Sequence, residues 1–142
     1  MADTIRELIL QEFVTRLTPL STLPIDRDRP TNDETDETLI SVNDGQETAH
    51  ESQTFGTSRQ NLTVVIGVII KAITPSVTIN EILGDVIVAI TSADTTFGGL
   101  AGSVKYDGSE PDYRADGSNY SSIQIQFNID YRFLVGDPFT AA

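Results

Sequence analysis

From Ile123 to Val135 every second residue is apolar: Ile123, Ile125, Phe127, Ile129, Tyr131, Phe133 and Val135. Gln124, Gln126, Asn128, Asp130 and Arg132 stand between them. A period of two puts the two sets on opposite sides of a strand, one side dry and one wet. That pattern belongs to an antiparallel sheet covered on one face, because parallel sheets are buried on both. A long strand at a sheet edge is avoided unless covered or paired, so this one needs a neighbour. Its polar face suits a protein–protein surface and equally suits solvent.

The rest of the chain supplies the covering layer. Leu62, Val64, Ile66, Val68 and Ile70 alternate in the same way, and Val65 and Ile69 make the other side partly apolar. This predicts a central strand over 62–70, with Gly67 marking a bulge or a close backbone approach. Ile5, Leu8, Ile9, Phe13 and Leu17 recur at steps of three or four, one stripe of a helix over about 4–18. Thr4 and Glu7 have the spacing of a capping box, and Pro19 ends the run. Ile79, Ile82, Leu83, Val86 and Ile90 predict a second helix over about 79–92. Thr78 with Glu81 repeats the capping-box spacing there, and Val77 with Ile82 fits a hydrophobic staple.

The connecting segments are less regular. The IDRDR stretch between Pro24 and Pro30 reads as a short edge strand, and 31–37 as an acidic loop. Leu39, Ile40 and Val42 predict a strand that Asn43-Asp44-Gly45 turns, since these residues tolerate positive φ. Residues 46–60 have little core content, with a strand through part of them and then a loop. Phe97-Gly98-Gly99-Leu100 is expected to turn into a strand around 101–107, followed by a polar loop over 107–119. The tail 136–142 has no core signal and is expected to be flexible. Two helices among consecutive strands define an α+β fold: a mostly antiparallel β-sheet with two α-helices packed on one face. The 142 residues fit a single domain, 1–142.

Composition narrows the function. There is no cysteine, which excludes disulfides, thiolate metal sites and cysteine nucleophiles. Nine Lys and Arg stand against 21 Asp and Glu, a net charge of −12. That balance argues against binding a phosphate backbone, which needs clustered bases. No apolar run approaches the ~20 residues of a membrane span. The opening MADTIRELILQEF carries acids and no small-residue cleavage site, so no signal peptide and no membrane are expected, and synthesis in the cytoplasm fits.

Catalytic constellations are hard to assemble. His50 is the sole histidine and sits between Ala49 and Glu51 in a polar stretch, which reads as a surface histidine. Nine acids lie between Asp26 and Glu51, but paired carboxylates act as acid and base only when fixed in a cleft. The EF-hand spacing is absent, and Gly98-Gly99-Leu100-Ala101-Gly102 matches neither the dinucleotide nor the P-loop pattern. No catalytic, cofactor-binding or metal residue is therefore predicted, and no cofactor. Arg27 and Arg29 are the one close pair of bases. They pair either with acids of a neighbouring subunit or with Asp26 and Asp28. With Arg132 they are the candidate subunit-interface residues.

The helix IRELILQEFVTRL, the strand LTVVIGVIIKA followed at once by INEILGDVIVAI, the D-T-T-F-G-G-L turn at 94–100, and the closing IQIQFNIDYRF with GDP at 136–138 together resemble the bacteriophage tail terminators. This is the family of minor tail protein U and related tail completion proteins. The resemblance covers most of the chain and rests on order, length and small motifs. It implies a non-enzymatic virion protein whose subunits form a homo-hexameric ring. Such a ring caps the tail tube at its head-proximal end, stops its polymerisation and presents a docking surface to the head-completion or neck protein. It implies contact with the tail tube protein, with the sheath protein where the tail is contractile, and with DNA passing through the lumen unbound. The acidic 31–37 loop departs from the expected pattern by its length and charge. Two other readings fit the residues: another head–tail joining or tube-related structural protein, and a small carboxylate-based hydrolase or sugar-binding domain.

Overall fold

A computed structural model describes residues 3–21, 25, 27, 39–49, 56–71, 75–92, 94–113 and 120–141. Among these residues two α-helices, α1 (Ile5–Leu17) and α2 (Pro75–Thr91), accompany five strands: β1 (Leu39–Ala49), β2 (Thr57–Lys71), β3 (Ser103–Tyr113), β4 (Tyr120–Leu134) and β5 (Asp137–Ala141). The sheet order is β1-β2-β4-β3, with β5 also paired to β4, and every pairing is antiparallel. The expected α+β fold is the one observed.

The register puts the two alternating patterns on one face. Leu62 lies opposite Ile129, Val64 opposite Phe127 and Ile66 opposite Ile125, all fully buried. Both helices cover this face: Ile9, Phe13 and Leu17 of α1 and Ile79, Val86 and Ile90 of α2 join the same core. Phe13 is its centre, edge-to-face with Phe97 at 5.2 Å and with Phe127 at 5.8 Å. Aromatic pairs at such angles add about 0.5–1.5 kcal/mol each beyond their buried area.

Several local expectations are corrected, each for a physical reason. α1 uses half of its capping box: Thr4 Oγ1 accepts from Glu7 N–H at 3.1 Å, but the Glu7 carboxylate is drawn away by Arg27. α2 begins at Pro75, whose fixed φ suits a first helical position. Thr78 therefore lies inside the helix, and Val77 is 57% exposed with no staple to form. Asn43-Asp44-Gly45 does not end β1, which runs on to Ala49. Gly67 keeps regular register with Ser41 and Gln124, and the register shifts fall elsewhere, between Asp44 and Glu47, between Tyr106 and Gly108 and, against β5, between Phe133 and Leu134.

β3 takes in half of the expected 107–119 loop. Asp107 is the extra bulged residue, and Gly108 supplies the φ of 144° that follows it. Pro111 is tolerated because β3 is an edge strand. β4, by contrast, is interior, flanked by β2 and β3, so it is no edge strand. The tail, expected to be flexible for its lack of a core signal, turns at Gly136 (φ 79°) and returns along β4 as β5 up to Ala141. Asp137 holds that turn by accepting from the Thr140 hydroxyl at 2.7 Å and the Phe139 N–H at 3.2 Å. Of the IDRDR stretch, Ile25 and Arg27 are described and neither is in a strand. The 31–37 loop, His50 and Arg29 lie outside the described residues.

Candidate functional site

Because the helices cover one face of the sheet, the alternation of β2 and β4 leaves the polar residues together on the other. Arg59, Asn61 and Thr63 of β2 lie beside Arg132, Asp130 and Asn128 of β4, and Gln126 and Gln124 continue the row. Lys105 of β3 lies opposite Asn128 on the same face. Side-chain amides dominate the middle of this surface. At one end it forms a shallow depression of about 350 Å³ bordered by Arg59, Asn61, Lys105, Asp107, Asn128 and Asp130.

Asp130 organises that end. Arg59 lies directly across from Arg132, and two like charges facing each other are unfavourable. Arg59 instead reaches diagonally to Asp130 in a forked pair, Nε to Oδ1 at 3.0 Å and Nη2 to Oδ2 at 2.5 Å. The hydrogen bond to Asp130 raises the Arg59 pKa above its ordinary value. The Asp130 carbonyl also accepts the Gly102 N–H at 2.7 Å, where a Cβ at Gly102 would lie 3.3 Å from it. Arg132 itself is exposed on this face. The structure thus separates two of the sequence-predicted interface residues, because Arg27 binds Glu7 on α1 through 2.8 and 3.0 Å contacts.

A second charged cluster escaped the sequence reading. At the β1 bulge, Asp44 lies opposite Val64 and Glu47 opposite Leu62, both inner-face positions. Arg6 of α1 bonds Asp44 at 2.7 Å and approaches Glu47 at 3.5 Å. The buried Tyr131 donates its hydroxyl to Glu47, and burial together with that carboxylate raises the Tyr131 pKa. The Arg6 hydrogen bond holds Asp44 below the usual carboxylate range, and the Arg27 hydrogen bond does the same for Glu7. The available signal was Asn43-Asp44-Gly45, which marked positive-φ tolerance but not a bulge within a strand.

The D-T-T-F-G-G-L motif has a structural task. Asp94 accepts from the Thr96 and Gly98 N–H groups at 2.9 and 2.8 Å, and the Thr96 hydroxyl also bonds it. The turn carries positive φ at three successive residues, Phe97 (51°), Gly98 and Gly99, and drives the Phe97 ring into the core. Arg16 clamps the turn: its guanidinium lies 4.2 Å over the Phe97 ring and donates to the carbonyls of Ile90 at 2.8 Å and Asp94 at 2.6 Å. The Ile90 carbonyl belongs to the last turn of α2, whose unpaired carbonyls a cation satisfies well, and the Asp94 carbonyl lies in the turn itself, where it also accepts the Phe97 N–H at 3.3 Å. Among the described residues, no group of three or more His, Asp or Glu is placed to hold a metal ion. No described helix is long and apolar enough to cross a membrane.

No family model matches the chain, and no curated protein matches it. Among solved structures it is similar in fold to a chain of "Virion of native gene transfer agent (GTA) particle", with a TM-score of 0.55 and 15% sequence identity. The alignment covers 89% of this chain and 90% of that one. At this identity the likeness is one of fold.

Proposed function

We propose that the chain is a structural virion protein without enzymatic activity: a ring-forming tail terminator that caps the tail tube and offers its far side to the neck. The observation that carries this reading is the end-to-end fold likeness to a virion-particle chain, 89% of one and 90% of the other. A match of that extent relates whole subunits rather than a shared motif. The reading is supported by the order of elements that resembles the tail terminators, and by a D-T-T-F-G-G-L turn whose residues are spent on packing rather than chemistry. The partners under this proposal are further copies of the chain in a homo-hexamer, the tail tube protein, the head-completion protein, and the sheath protein in a contractile tail. DNA passes through the lumen unbound, consistent with a net charge of −12. The protein resides in the virion, at the head-proximal end of the tail.

A head–tail joining or tube-related role shares the same supporting likeness, since a fold alone does not fix a role. The test is electron microscopy of purified protein incubated with tail tubes of the same virus. A ring of density at one end of each tube is expected. Density distributed along the tubes supports a tube-related subunit instead, and no association contradicts the proposal.

A further inference from the structure

Of the six basic side chains that are described, four hold a carboxylate of the same chain: Arg6, Arg16, Arg27 and Arg59, at 2.7, 3.0, 2.8 and 2.5 Å. Lys105 and Arg132 hold none among the described residues, and both are exposed on the open face of the sheet, at either side of the Arg59–Asp130 pair. On the far side of the molecule, α2 turns outward an exposed stripe of Val77, Glu81, Gly84, Asp85 and Val88. Glu81 and Asp85 have no base among the described residues, and they are one helical turn apart. A Cβ at Gly84 would meet nothing within 4 Å, so the helix backbone is open to close approach at that point.

We infer that the Lys105–Arg132 end of the open sheet face docks the outward acidic stripe of α2 from a second copy of the chain. The charges are complementary, and the two surfaces lie on opposite sides of one sheet, so they cannot meet within a molecule. The aliphatic stems of Lys and Arg can cover apolar surface while their heads reach carboxylates, which suits Val77 and Val88. A polyanion such as DNA fits less well, because Asp107 and Asp130 border the same depression as Lys105. A contact between unlike surfaces propagates head to tail and closes into a ring when its rotation allows. This inference rests on the proposed reading as an assembling subunit and adds which surfaces meet.

Two charge-reversal variants test it: Lys105→Glu with Arg132→Glu, and Glu81→Lys with Asp85→Lys. Sedimentation velocity across a concentration series, at low salt and with folding checked by circular dichroism, reads self-association. Each variant alone is expected to associate at least tenfold more weakly than the parent. Their equimolar mixture is expected to recover association, because each reversed surface then meets its complement. Variants that associate as the parent does, or a mixture that stays dissociated, overturn the docking inference and leave the assembly reading standing. A parent chain that remains monomeric at all concentrations, and on tail tubes by microscopy, overturns both.

Discussion

Glu47 faces Arg6 and Tyr131 because one side chain is missing at Gly45. Two residues, Gly45 and Gln46, occupy the place opposite Thr63, and this offset brings Glu47 back to the inner face after Asp44. A Cβ at Gly45 would lie 2.9 Å from the Thr63 carbonyl oxygen, and backbone cannot swing aside. Gly45→Ala is therefore expected to cost about 1–3 kcal/mol. Gly84→Ala, in an open helix position, should stabilise by about 0.5–1 kcal/mol. Denaturant midpoints check both, and a Gly45→Ala protein as stable as the parent would contradict the bulge account. At this scale the sequence was only partly legible. Asn43-Asp44-Gly45 announced unusual backbone, but the distinction between a turn and a bulge depends on Thr63, a residue far away in sequence. Arg27 was legible as a base in need of an acid, and its partner Glu7 on α1 was not.

The elements themselves were readable where one face is fully buried, because burial imposes period two or 3.6 on the sequence. β2 and β4 satisfied that condition, as did α1. The second half of β3 and all of β5 did not: Ser109, Glu110, Pro111 and Asp112 are exposed edge residues with no alternation to detect. Their pairing comes from β4, whose regular backbone templates them. Phe127→Ala should accordingly cost about 3–5 kcal/mol, through lost burial and the cavity between Phe13 and Val64. Gln126→Ala, one residue away on the open face, should cost less than about 0.5 kcal/mol. Urea titrations that reversed this order would show that the faces of β4 are misassigned. The β4 part of the open face was legible as polar from the alternation alone. Its pairing of Arg59 with Asp130 was not, because the register of β2 against β4 was unknown.

For the whole molecule, charge sets the conditions in which it stands. Glu7, Asp44 and Asp94 titrate below the usual carboxylate range, held there chiefly by hydrogen bonds from Arg27, Arg6 and the Thr96 hydroxyl. A lowered carboxylate contributes stability above its unfolded pKa and loses it as pH falls through the folded one. Tyr131 shifts upward, first by burial and then by Glu47, so its contribution is complete below about pH 10 and is lost as pH rises further. The melting temperature is expected to hold between about pH 5 and 9, to fall below about pH 4 and to fall again above about pH 10. Tyr131→Phe should soften the alkaline fall, and a melting temperature that rises from pH 5 to pH 3 would contradict the carboxylate pairings.

The central claim concerns assembly, and its most direct measurement is the length of tail tubes polymerised from the tube protein of the same virus with this protein added in increasing amounts. The account predicts tubes that stop growing and shorten on average as more ends are capped, with each finished tube bearing one ring. Tubes that reach the same lengths with and without the protein, and whose ends remain bare, would contradict it.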